Sequence, residues 1–179
     1  MKIVTTPMCQ EILRLAGVPK FEIINDGVYE DADIAFILSE TKIPENSSTK
    51  FVKLKLNTFT QIEDSVELIS NILGTKPLEK HFNHNLTDQL KEKNKEIKVK
   101  VYSNFLKDIA QDMGFKIVPD DTYDYLVYPD YLKNKLKTEL NEAGERAVEL
   151  PSHKNAPLNP IKKAEIRYQI LEKSICMKH

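Results

Sequence analysis

Cysteine is scarce in this sequence: Cys9 and Cys176 are the only two among 179 residues. They lie near opposite ends of the chain, so a single bridge between them stays open, but a secreted disulfide scaffold is excluded. A zinc site of four cysteines is excluded by the same count. Glycine is scarce too, at five residues, and no glycine-rich loop, P-loop or dinucleotide fingerprint occurs. That argues against a conventional NTPase or Rossmann dehydrogenase. Arginine appears only at Arg14, Arg146 and Arg167. With so few guanidinium forks, a phosphate in a ligand would lean on backbone N–H groups, lysine or hydroxyls. The formal net charge is −1, so no global basic field recruits nucleic acid or an anionic membrane. No stretch approaches the roughly 20 apolar residues that a membrane helix needs. The opening residues are broken by Thr5, Thr6 and Pro7 and do not read as a signal peptide. A cytoplasmic protein is expected.

Hydrophobic residues make up 41% and charged residues 30% of the chain, enough to bury a core without disulfide or metal. Residues 2–5 read as a strand, and Thr6-Pro7 then reads as N-cap and first residue of a helix running to about Ala16. Gly17 closes that helix. Phe21–Ile24 reads as a strand, Asn25-Asp26-Gly27 as a turn, and the apolar run Ile34–Leu38 as a strand covered on both faces. Phe51–Leu56 alternates as a strand, and Gln61–Leu73 reads as a helix closed by Gly74. A polar connector, 79–96, carries a helix near 86–94. The opening pattern then returns: strand Ile97–Tyr102, helix Phe105–Met113, Gly114, strand Phe115–Val118, acidic turn, strand Tyr125–Tyr128. Residues 131–149 read as helical. An irregular segment with Pro151, Pro157 and Pro160 leads to a final helix over 161–176, with Ile161, Ile166, Ile170 and Leu171 on or near one face.

The expectation is an α/β protein of two related β-α-β halves. They form a mostly parallel sheet flanked by helices, with a C-terminal helix. The halves span 1–78 and 97–150, joined by the 79–96 connector and followed by 151–179. Such sheets bind ligands at the carboxyl ends of their strands. The loops there begin at Thr5, Ser39, Asn57, Ser103 and Pro129. The C-terminal helix is expected on the sheet or at a dimer interface, which leaves a homo-oligomer open.

Cys9 is the first candidate for chemistry. With Thr6 as N-cap and Pro7 as the first helical residue, Cys9 falls in the first turn, where unpaired N–H groups and the helix dipole favour a thiolate. The competing reading is a buried, inert cysteine. Thr5, Thr6, Pro7, Met8 and Gln10 around it, with Ser39, Ser103 and Asn104 at other strand ends, are candidate ligand-binding residues. Tyr102-Ser103-Asn104 is the second-half counterpart of Thr5-Thr6-Pro7. The histidines are His81, His84, His153 and His179, and none is tied to Cys9 by spacing. Without a general base, a single acyl-transfer or carrier step suits Cys9 better than hydrolytic turnover. His81-x-x-His84 has metal-ligand spacing but no evident third ligand, so no metal site is expected. Glu40, Asp120, Asp121, Asp124 and Asp130 read as loop carboxylates, most of them solvated, with Asp130 the best placed. Tyr102, Tyr125 and Tyr128 read as core or as stacking platforms.

The opening Met1-Lys2-Ile3-Val4-Thr5-Thr6-Pro7-Met8-Cys9 resembles a methanogen family, the thioester-forming HcgF-type proteins of iron-guanylylpyridinol (FeGP) cofactor biosynthesis. The resemblance covers about the first tenth of the chain. It implies that Cys9 captures the carboxylate of guanylylpyridinol, activated as an adenylate by a transiently bound partner enzyme, as a thioester. The ligand would be guanylylpyridinol or its adenylate, with no permanently bound cofactor. A fainter resemblance, over Lys2-Ile3-Val4, Glu11-Ile12-Leu13 and Leu15-Ala16-Gly17-Val18, is to periplasmic metallocofactor-binding proteins, whose lobes are also β-α-β units. This sequence lacks their leader and their long spanning helix. The alternative to the thioester reading is a non-catalytic nucleotide- or cofactor-binding module in which Cys9 only packs. A further alternative is an assembly subunit that uses the C-terminal helix.

Overall fold

Ile34–Leu38 forms the strand that its unbroken apolarity predicts, and its first four residues are buried. It is the third strand of the first of two compact units. In the computed structural model the described residues are 1–25, 27–29, 31–78 and 87–178. The units are Met1–Phe82 with Leu158–Ile161, and Asn83–Pro157 with Lys162–His179. His81, His84, His179 and Asp26, which figure in the expectations above, lie outside the described residues.

In the first unit the order is β1 (Ile3–Thr5), α1 (Gln10–Leu15), β2 (Glu22–Ile23), β3 (Ile34–Leu38), β4 (Lys50–Leu54) and α2 (Phe59–Leu73). The sheet runs β2-β1-β3-β4, with every pair parallel. Thr5 pairs with Phe36, and β3 continues two residues further, to Leu38 opposite Leu54. Helix α2 is set by local chemistry. The Thr58 hydroxyl accepts from the Gln61 N–H at 3.1 Å, and the Gln61 side chain accepts from the Asn57 N–H at 3.0 Å. This is close to a capping box and satisfies donors that a helix start leaves open. Its apolar side, with Phe59, Ile62 and Ile69 buried, meets α1. Val4, Ala35 and Ile37 pack with Tyr29 and Ala32, and Phe51 closes the cluster edge-on to Tyr29, ring centroids 5.1 Å apart.

The second unit repeats the plan. It holds α3 (Asp88–Asn94), β5 (Lys98–Val101), α4 (Asn104–Asp112), β6 (Lys116–Ile117), β7 (Tyr125–Pro129), α5 (Lys137–Ala143) and β8 (Ala147–Leu150). Helix α6 (Pro160–Ser174) begins in the first unit's Leu158–Ile161 and continues in the second. The sheet order is β6-β5-β7-β8, again all parallel. Val101 pairs with Val127, and β7 continues two residues further, to Pro129 opposite Leu150. The two sheets therefore share strand order and stagger. The protein is α/β, with one parallel four-stranded sheet per unit, flanking helices and a C-terminal helix.

Three expectations change. Residues 131–149 are not one helix. Gly144, at φ 55°, ends α5, and Ala147–Leu150 then runs as a strand beside β7. Pairing along β7 overrides a local composition that favours helix. Helix α1 does not start at Pro7. Residues 7–9 form a turn, closed by the Cys9 N–H on the Thr6 carbonyl at 3.0 Å, and the helix begins at Gln10. Finally, the buried face of α6 is Ala164, Arg167, Tyr168 and Leu171, with Ile175 just beyond its end, while Ile161, Ile166 and Ile170 are only half-buried. Among the described residues, no helix is long and apolar enough to cross a membrane.

Candidate functional site

Each sheet has one switch point, between its two central strands. There the first connection leaves in one direction and the next strand lies on the other side, and ligands bind at such points outside the carboxyl ends. In the first unit the flanking residues are Thr5-Thr6 after β1 and Ser39 after β3. In the second they are Tyr102-Ser103 after β5 and Asp130 after β7. Among the described residues, two buried side-chain oxygens make no hydrogen bond: Thr6 Oγ1 and Asp130 Oδ1. One lies at each switch point. Buried polar atoms are nearly always satisfied, so an orphan there marks a position prepared for a partner.

Around the first switch point the predicted residues are contiguous but mostly structural. Thr5 is fully buried, and its hydroxyl donates to the Phe36 carbonyl at 2.9 Å, tying β1 to β3. Thr6 caps no helix. Cys9 is 0% exposed and is itself the N-cap of α1, a helix of six residues, with no side-chain cap bond. It stands at the N-cap rather than within the first turn, its side chain makes no cap bond, and its burial opposes a thiolate. Its carbonyl accepts from the Ile12 and Leu13 N–H groups at 3.0 and 3.3 Å. Pro7, Met8 and Gln10 are half-buried, and the Gln10 carboxamide meets the Arg14 guanidinium. Ser39 is half-buried, and its N–H donates to the Leu54 carbonyl at 2.9 Å.

In the second unit Ser103 is the N-cap that Thr6 was expected to be, its hydroxyl accepting from the Leu106 N–H at 3.3 Å. Asn104 is exposed at the first helical position. Next comes Phe105, whose ring centroid lies 4.3 Å from the Arg167 guanidinium carbon and 6.1 Å from the His153 ring centroid. Arg167 is 1% exposed, the largest fully buried side chain among the described residues. Its Nε and Nη2 donate to the Pro151 carbonyl at 3.0 and 2.9 Å. On the far side of that same peptide, the Ser152 N–H donates to Asp130 Oδ2 at 3.1 Å. The buried cation and the carboxylate are thus joined through one peptide group, whose dipole points its oxygen at the guanidinium and its hydrogen at the carboxylate. Asn155 adds a second bond to Asp130 Oδ2, at 2.7 Å. Burial pushes the Asp130 carboxyl up, but the bonds from Asn155 and Ser152 outweigh it and hold the group below its ordinary value. Burial lowers Arg167 to about 10, against the opposing pull of Asp130.

One turn earlier on the same face of α6 stands Lys163, 3% exposed, with its ammonium 3.2 Å from His153 Nδ1. A lysine ammonium can only donate, so Nδ1 accepts and Nε2 carries the ring proton. His153, Asn104 and Asn155 are exposed, so the constellation reaches solvent on their side. Its chemistry is that of a cationic, largely dehydrated cluster beside one aromatic ring. Sequence reading missed it. Lys163 and Arg167 stand four apart in a charged helix, a spacing usual for a solvated face. The signal was that Arg167, one of only three arginines, falls between Ala164 and Leu171 on the apolar stripe.

Of the other predicted residues, Tyr125 and Tyr128 are buried in the second sheet. Tyr102 bonds Glu139, which also holds Lys100 at 2.7 Å. Asp121 bonds Lys100 at 2.8 Å, Asp124 accepts from the Lys98 N–H at 2.8 Å, and Asp120 holds Thr122. Glu139, Asp121 and Asp124 fasten α5 and the loop before β7 to β5, while Asp120 closes its own turn. Neither cysteine is in a disulfide. Among the described residues, no group of three His, Cys, Asp or Glu side chains is arranged to hold a metal ion. A surface cavity of about 640 Å³ lies in the first unit between Gly27–Tyr29 with Asp31 on one side and Pro44–Thr49 on the other, at the amino ends of β3 and β4, away from the switch point.

No family model matches the chain, and no curated protein matches it. Among solved structures, the chain is similar to a Zn(II)-bound mutant variant of AdcAII from Streptococcus pneumoniae. Identity is 12% and the TM-score 0.42, over 99% of this chain and 97% of that one.

Proposed function

We propose that the protein is a nucleotide- or cofactor-binding module of the cytoplasm, in which Cys9 is a packing residue and the ligand is held at the carboxyl edge of the second unit's sheet. The observation that carries this reading is the contrast between the two switch points. At one, the thiol is fully buried behind a six-residue helix. At the other, buried charge and an orphaned carboxylate oxygen are gathered beside exposed polar residues. The test is intact-protein mass spectrometry with limiting iodoacetamide across a pH series. Half-buried Cys176 is expected to label in native protein, and Cys9 only after denaturation. Rapid native labelling of Cys9 below about pH 8.5, the ordinary thiol range, would overturn the packing role.

The second reading is acyl capture in iron-guanylylpyridinol biosynthesis, favoured by the resemblance over residues 1–9 and by the place of Cys9 directly after β1. In that step the Cys9 sulfur attacks the acyl carbon of the guanylylpyridinol adenylate. The thiol gives its proton to water, a C–S bond forms, the C–O bond to the phosphate breaks, and AMP leaves. It requires the 6–9 turn to open. Incubation with the adenylate and a search for the thioester mass on Cys9 distinguishes the two readings.

A further inference from the structure

We draw no further inference here: the strongest candidate, the surface cavity of about 640 Å³ at the amino ends of β3 and β4, is lined mostly by exposed loop residues around the two carboxylates of Asp31 and Glu45, and nothing among the described residues shows what would fill it.

Discussion

Replacing Gly17 by alanine should destabilise the protein far more than the same change at Gly74, although both glycines end helices with a positive φ. Gly17 sits at φ 73° and Gly74 at φ 63°. Each substitution places an L residue in the left-handed region, at about 1–2 kcal/mol. At Gly74 nothing lies within 4 Å of the new Cβ. At Gly17 the Cβ would stand 2.1 Å from the Lys76 carbonyl oxygen, a backbone atom. That carbonyl cannot swing aside, because the strap after α2 is pinned on both sides. The Thr75 hydroxyl bonds the Ala16 carbonyl, and the Leu78 N–H bonds the Leu15 carbonyl at 2.8 Å. Relieving the clash means lifting the strap off the end of α1, which adds about 1–3 kcal/mol in the manner of core overpacking. The expected totals are about 1–2 kcal/mol for Gly74→Ala and roughly 2–5 kcal/mol for Gly17→Ala. Urea unfolding followed by circular dichroism gives both from the shift in midpoint at constant slope. Equal shifts for the two variants would refute the claim that close backbone approach, rather than left-handed geometry alone, fixes glycine at position 17.

Two further outcomes follow from buried polar groups. Asp130 has its folded pKa below the ordinary 3.8, so its contribution to stability is present above that value and is lost as pH falls through the lowered one. Unfolding midpoints measured between pH 2 and 5 should therefore fall less steeply with acid in Asp130→Asn than in wild type, and parallel slopes would contradict the assignment. Asn94, 1% exposed, donates to the Met113 carbonyl at 2.7 Å and accepts from the Cys176 thiol at 3.4 Å. Asn94→Ala leaves that carbonyl unsatisfied and should cost about 1–3 kcal/mol, measured by urea unfolding.

The parts of the fold that could be read from the sequence were those written in local chemistry. Gly74 closes α2, whose start was read at Gln61 and lies at Phe59 behind the Thr58 cap, and five apolar residues in a row make β3. The duplication was visible because helix-ending glycines recur at Gly17 and Gly114, and at both a Cβ would stand too close to a backbone carbonyl oxygen, at 2.1 and 2.6 Å. What was hidden depended on distant partners. Strand β8 is four residues long and exists because β7 lies beside it. The Thr6-Pro7 pair has the composition of a helix start, yet tertiary context turns the chain there and leaves the cap to Ser103 in the other unit. The buried role of Arg167 was hidden because charge is normally read as exposure, and only the periodicity of its neighbours argued otherwise.

The Pro151–Ser152 peptide, clamped between a guanidinium and a carboxylate, carries a consequence for motion. A peptide plane in a proline-rich connector would ordinarily be free to crank about its flanking bonds. Here a half-turn would set the amide hydrogen against Arg167 and the carbonyl oxygen against Asp130, reversing both attractions at once. The connector is thereby held in a single rotational state by two opposite charges that never touch, and the Ser152 amide should rank among the slow exchangers of an otherwise loop-like segment.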